Sequence, residues 1–279
     1  MRVGKFARLS PVLAVMKSLR PCLARLILII PTCFQLFLAG SQGAGIEKPS
    51  FREAIAEVQK MAHDLRDATP AYYESLEAGF LRVQKEFPLE DEVYSELLFV
   101  ADHRPKDAAA RLAQRVIDWP SSAAVKEKAR GLIRKKESLG KPVDLKLSVL
   151  KGGEIDVASM KGKVVLVDFW ATWCPSCQEK LEELKALYAQ HQARGFEIVG
   201  ISFDEKPRRL QLYLDVQGVT WPQHCSGEGW SGPNATLAAR FGLTSLPGLW
   251  LVDRKGNLRD LDARENLSTK VEALLAEKP

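Results

Sequence analysis

The stretch "KVVLVDFWATWCPSC", from Lys163 to Cys177, constrains this chain more than any other. Val164 to Trp170 is an almost unbroken apolar run of mostly β-branched residues, the pattern of a strand buried on both faces. A CxxC pair follows at once, and "PSCQEKLEELKALYAQHQARG" has the composition of a helix that stops at Gly195. "FEIVGISF" then reads as a second buried strand and "RRLQLYLDVQG" as another helix. Strand, helix and strand in that order imply a parallel pair joined by a right-handed crossover, with the cysteines where the first strand enters its helix.

The elements around this unit extend the same sheet. "LKLSVL" and "GEIDVASM", separated by Lys151 and Gly152, suggest a hairpin, and "GLWLVD" and "GNLRDL" suggest another around Lys255 and Gly256. "NATLAARFG" reads as a short helix and "STKVEALLAEK" as a closing one. The expected fold class is α/β over residues 141–279: a mixed sheet flanked by helices.

Ahead of it, from about Ile46 to Gly140, apolar residues recur at helical spacing in segments such as "FREAIAEVQKMAHDL" and "AAARLAQRVIDW". Breaks are expected at Pro70, Pro88, Pro105 and Pro120, and serine caps at "PSSAAVKEKARGLIRKKESLG". "RVQKEFP" at 82–88 is echoed by "RVIDWP" at 115–120, so residues 46–140 are expected to form a small all-α domain, an irregular bundle or a tetratricopeptide-like pair. "KKESLGKPVD" is the expected boundary.

The formal charge of +5 belongs to the N-terminus. Residues 1–45 hold six of the 40 basic residues and no acid, leaving 34 basic against 35 acidic residues in the remainder, so no phosphate-binding surface and no nucleic-acid partner is expected. The same segment ends in "LILIIPTCFQLFLAG" followed by small residues, the outline of an export signal, with Met16 the better-proportioned start. The alternative is an uncleaved anchor, since about 17 residues from Leu23 could barely span a bilayer. "LAGS" resembles a lipoprotein box but has Ser41 where a cysteine is required. Export would place the chain where disulfides persist, with Cys174, Cys177 and Cys225 retained of the five cysteines.

A CxxC can be a redox centre, half a metal site or a structural bridge. Zinc needs about two more ligands, and the best on offer are His224 and Cys225, in another segment. A bridge closing so short a loop constrains little of the unfolded chain. At a helix start, by contrast, the first sulfur is favoured as a thiolate by the dipole and free N–H groups of the first turn. Cys174 is therefore the expected nucleophile and Cys177 the resolving thiol, with Pro175 suited to the first turn. Asp168 interrupts the buried strand six residues earlier; a carboxyl there could take the proton from Cys177. Pro247, directly before a buried strand, is an expected cis turn that brings the backbone of Leu246 near the sulfurs, where an extended substrate could pair with it.

Together "GKVVLVDFWATWCPSC", "GFEIVGISFD" and "LPGLWLVD" resemble the thioredoxin superfamily, and within it the TlpA/ResA branch of exported thiol-disulfide oxidoreductases. The resemblance covers about half the chain, from Pro142 onward. It implies a thioredoxin-like fold, a redox-active Cys174–Cys177 disulfide with no other cofactor, Asp168 as buried acid/base and Pro247 as cis-proline. Trp173, Leu246 and Pro247 are then the candidate substrate contacts.

Three departures from that branch stand out. Lys180 and Glu182 replace a glutamate and a proline, which predicts an unkinked helix and makes Lys180, with Pro175 and Ser176, a candidate tuner of the redox potential. Gly248 replaces a threonine after the proline. "TWPQHCSGEGWSGPN" is expected to be a loop bordering the site, with Cys225 a buried free thiol. The peroxidase pattern Pro-x-x-x-Thr-x-x-Cys is absent around Cys174 and Cys177, and His63, His103 and His191 are expected to be exposed on helices.

The resulting expectation is an enzyme, an extracytoplasmic thiol-disulfide oxidoreductase that keeps protein cysteines, including those of haem apoproteins awaiting cytochrome c maturation, reduced with electrons from a membrane-bound thiol carrier. The alternatives are a disulfide oxidase or isomerase, or a helical binding module on a thioredoxin-like scaffold. Cys174, Cys177, Asp168 and Pro247 occurring together weigh against a mere scaffold.

Overall fold

The computed structural model describes residues 48–63, 69–230 and 236–278. The expected export signal and the side chain of His63 lie outside them. No helix among the described residues is long and apolar enough to cross a membrane.

Among the described residues five helices come first: α1 (Phe51–His63), α2 (Thr69–Glu86), α3 (Asp91–Asp102), α4 (Lys106–Asp118) and α5 (Ala123–Ser138). Their boundaries follow from local chemistry. Ser50 and Glu53 form a reciprocal cap, with the Ser50 N–H donating to Glu53 Oε2 at 2.8 Å. Ser122 accepts from the N–H of Val125, as the paired serines predict. Pro70 is not a break but lies in the first turn of α2, where its missing N–H is harmless. The two echoed segments end α2 and α4, each followed by a short turn into the next helix. Phe80, Tyr94, Leu97, Leu98 and Leu132 are fully buried among them and form a core of their own.

The remaining elements are β1 (Lys146–Ser148), β2 (Glu154–Asp156), β3 (Val164–Trp170), α6 (Pro175–His191), β4 (Phe196–Ser202), α7 (Pro207–Gln217), β5 (Gln223–Cys225), α8 (Thr236–Arg240), β6 (Gly248–Val252), β7 (Leu258–Asp260) and α9 (Leu267–Ala276). β1 and β2 form the expected hairpin. The main sheet has the order β5-β4-β3-β6-β7, with β3, β4 and β5 parallel and β6 and β7 antiparallel. All seven residues of β3 are buried, as a strand flanked on both edges and covered on both faces must be. Beside it Phe169, Phe241 and Trp250 pack as an aromatic cluster, with ring centroids 4.8 to 5.9 Å apart.

Two expectations need correction. "TWPQHCSGEGWSGPN" is not all loop, because Gln223–Cys225 adds β5 to the sheet. Its outer edge is covered by the first hairpin, where Leu150 N–H donates to Gln223 O at 2.7 Å and His224 Nδ1 lies 2.8 Å from Ser148 O. Of the histidines expected to be exposed, His103 and His191 are not. His191 is wholly buried, with Nδ1 3.2 Å from the Arg194 guanidinium, and His103 is half-buried and stacked on Tyr73. Helical spacing alone did not distinguish the inner face from the outer.

The expected boundary is pinned rather than loose. Gly140 N–H donates to Leu258 O, Leu258 N–H to Lys141 O and Val143 N–H to Gly256 O, at 2.7 to 2.9 Å, so residues 140–143 lie along the β7 edge. Residues 50–279 consequently form one compact unit. The two cores meet where Gly131 of α5 lies against the turn after α8: a Cβ on Gly131 would sit 1.9 Å from Ala239 O and 3.1 Å from Gly242 Cα. Gly242 itself has φ +61°. Helix propensity favours alanine over glycine at an interior position by about 1 kcal/mol, yet here the added methyl meets backbone that cannot rotate away. Gly131→Ala is therefore expected to destabilise the protein by about 1–3 kcal/mol, the usual cost of overpacking, read as a lower urea midpoint at unchanged m-value.

Candidate active site

The chain leaves β3 at Trp170, turns through Ala171-Thr172-Trp173 and enters α6 with Cys174 as its N-cap. Pro175 occupies the first turn as expected, and the Cys177 N–H donates to Cys174 Sγ at 3.3 Å. The two cysteines are joined in a disulfide with a Cα–Cα distance of 5.3 Å. Both are 5% exposed, while Pro175 and Ser176 are exposed and Trp173 is 53% exposed beside them. The Ser176 hydroxyl lies 3.4 Å from Cys174 Sγ. When the disulfide opens, a sulfur capping the helix can keep its N–H bond as a thiolate and gain that hydroxyl as a second donor.

Asp168 is buried on β3, opposite Gly200 of β4 and Leu249 of β6. Its carboxyl makes no hydrogen bond or ion pair among the described residues. Burial alone pushes its carboxyl up to about 7, so it holds or releases a proton near neutrality.

A carboxylate missed in the sequence holds the turn that carries Trp173. Asp204, just past β4, accepts from the Thr172 N–H at 3.0 Å, the Thr172 hydroxyl at 2.5 Å and the Ser202 hydroxyl at 2.6 Å. Gln178 Nε2 donates to the Thr172 carbonyl from the other side. The signal was present in "GISFD", an acid at the exit of a buried strand. Gln223 was likewise missed: its Oε1 accepts from Trp170 Nε1 at 3.0 Å, and it fills the space over Gly200, where a Cβ would come within 2.0 Å of that oxygen.

The Leu246–Pro247 peptide is cis. Pro247 is buried and Leu246 half-buried. Gly248 pairs with Phe169, and a Cβ there would lie 3.2 Å from Leu243 Cδ2, so a threonine would press on Leu243.

α6 runs without interruption from 175 to 191, and Lys180 is its sixth residue. Its ammonium pairs with Glu183 at 2.7 Å and donates to the Arg264 carbonyl at 3.0 Å. The charge is thus compensated locally and tied to the loop before α9, not aimed at the sulfurs. Cys225 is half-buried; burial pushes its thiol up, and its Sγ donates to the Asp204 carbonyl at 3.2 Å.

A cleft of about 580 Å³ opens beside Trp173, lined by Thr172, Asp204, Lys206, Arg209 and Tyr213 among others. Among the described residues, no group of three or more His, Cys, Asp or Glu side chains is placed to hold a metal ion.

Residues 139–261 match the model of the AhpC/TSA family. The chain is 25% identical over 126 residues to "Thiol-disulfide oxidoreductase ResA" of Bacillus thuringiensis, covering 45% of this chain and 69% of the relative. It is 28% identical over 116 residues to the protein of the same name in Halalkalibacterium halodurans, covering 42% and 62%. Among solved structures it is similar to the C-terminal domain of a putative thiol-disulfide oxidoreductase from Bacteroides thetaiotaomicron, at 24% identity and TM-score 0.45, covering 50% of this chain and 97% of that one. The family match begins at residue 139, so the helices of residues 51–138 lie outside it.

The burial of Asp168 has a measurable consequence. The folded protein keeps its proton up to about pH 7, whereas an unfolded aspartate loses it near 3.9. Between these values the unfolded state binds fewer protons, so this group's contribution is full at low pH and lost as pH rises through the folded value. Asp168→Asn, which mimics the protonated form, should therefore leave urea stability almost unchanged at pH 4 and raise it at pH 8. An equal effect at both values would contradict the assigned burial.

Proposed function

We propose that this thioredoxin-like protein is an extracytoplasmic thiol-disulfide oxidoreductase that reduces disulfides in protein clients through Cys174 and Cys177. The observation that carries the reading is the closed Cys174–Cys177 disulfide at the N-cap of α6, with a carboxyl of near-neutral pKa buried in the strand that leads to it.

In the reduced protein the Cys174 thiolate attacks one sulfur of a client disulfide, forming a mixed disulfide and expelling the other client sulfur as a thiolate. Cys177 then attacks Cys174 Sγ, re-forms the internal disulfide and releases the second client thiol. Two electrons pass to the client, and two protons accompany them. Asp168 is the group proposed to take the proton from Cys177 as it attacks, a role that needs a base ionised near neutral pH. Trp173 and the backbone of Leu246 beside cis Pro247 are the proposed client contacts, and Ser176 the donor that steadies the Cys174 thiolate. A thiol donor must reopen the disulfide after each turn; a membrane-bound carrier, and clients that include haem apoproteins, are the proposed partners, as the resemblance to the TlpA/ResA branch implies.

Cys174→Ser is expected to abolish insulin reduction, and Cys177→Ala to accumulate clients as mixed disulfides on Cys174, identifiable by non-reducing electrophoresis and mass spectrometry. A wild-type protein without insulin reduction would refute thiol exchange. Asp168→Asn should slow resolution of the mixed disulfide by about a hundredfold, the low end of general-base contributions, and remove the limb near pH 7 from its pH–rate profile. The reductive direction requires a potential more negative than about −180 mV, the value of an isomerase-type centre; redox titration against glutathione decides it.

A further inference from the structure

One carboxylate of the helical half is bonded to the loop that precedes Pro247. Asp102, the last residue of α3, accepts from Lys135 Nζ of α5 at 2.8 Å and from the Thr244 hydroxyl at 2.7 Å. The Asp102 and Lys135 side chains are 12% and 6% exposed. Burial opposes the charge on Asp102, but Lys135, Lys136 and the bonds from Lys135 and Thr244 outweigh it and hold the carboxyl below its ordinary range. Thr244 stands three residues before Pro247.

The neighbouring contacts point the same way. His103, next in sequence, stacks on Tyr73 with ring centroids 4.5 Å apart, its Nδ1 lies 2.9 Å from Phe99 O, and its Nε2 faces the Arg264 guanidinium at 3.4 Å. The Arg264 carbonyl in turn receives Lys180 of the active-site helix. Gly131 abuts Gly242, two residues before Thr244. One helix end thus reaches both the loop that precedes β6 and the loop that precedes α9, and the backbone of α5 backs the first of them.

We propose that Asp102 is a positioning residue for client docking: by fixing Thr244 it holds the 245–248 segment in the conformation that receives an extended client on Leu246, so the helical half is the mount of the docking loop. The inference rests on the thiol-exchange reading. A docking edge held in its bound geometry spares the client the cost of ordering it, and the chemistry at the sulfurs is untouched. Loss of the tether should therefore weaken client binding without altering the redox couple.

The test uses the full chain with Thr244→Val, which keeps the shape and removes the hydroxyl, and Thr244→Ser, which restores it. Insulin reduction by Thr244→Val should show KM raised about tenfold, the loss equivalent to one ordinary hydrogen bond, with kcat, reduction potential and turnover of a small aromatic disulfide unchanged. Hydrogen–deuterium exchange over residues 243–249 should accelerate, and Thr244→Ser should return both readouts toward wild type. Thr244→Ala replaces the valine variant if that one fails to fold. An unchanged insulin KM or unchanged exchange overturns the proposal, as does a loss shared equally by both substrates. A wild-type chain inactive on insulin would sink the thiol-exchange reading instead, and the exchange measurement would still decide whether Asp102 holds the loop.

Discussion

β3 is held between a parallel neighbour and an antiparallel one, and the placement of the site follows from that pairing. Because both of its edges are bonded and both faces covered, the strand has one orientation and one end. Its exit at Trp170 sets where α6 begins, and therefore where the sulfur of Cys174 caps the helix. The same confinement deprives Asp168 of solvent and raises its carboxyl toward neutrality. A half-exposed strand would supply the same residues with an ordinary aspartate.

The turn between strand and helix has little structure of its own, so its shape is borrowed. Asp204 grips Thr172 from just past β4, Gln178 reaches back from α6, and Trp170 is fixed by Gln223 on the edge strand. These are contacts across 6 to 53 residues. They lock the exposed face of Trp173 beside two buried sulfurs, an arrangement suited to a client that brings its own disulfide to the surface rather than one that must be engulfed.

What was legible in the sequence had strong local or periodic causes. The buried strands, the CxxC at a helix start, the proline before β6, the glycine turns and the serine cap all follow from short-range rules. What was not legible depended on distant partners. β5 is three residues long and exists because β4 offers it an edge. His191 sits on a helix with charged neighbours in sequence, but its face turns inward toward Phe196. Lys180 was judged by its distance from the cysteines along the chain, whereas Glu183 and the Arg264 carbonyl determine where its charge lies. Asp204 was visible as a residue and invisible as an anchor, because Thr172, 32 residues away, is brought to it by the pairing of β3 with β4.

Cys225 is a third thiol beside the pair's own two, and it spends its proton on the carbonyl of Asp204, the residue that holds the Thr172 turn. A thiol kept protonated in that way is a poor nucleophile, so it does not compete with the pair for exchange. It also makes the chain its own redox gauge. Once any leader cysteines are removed, an oxidised molecule offers one thiol to an alkylating agent and a reduced one three, so the mass of the fully alkylated, denatured chain reports the state of the pair.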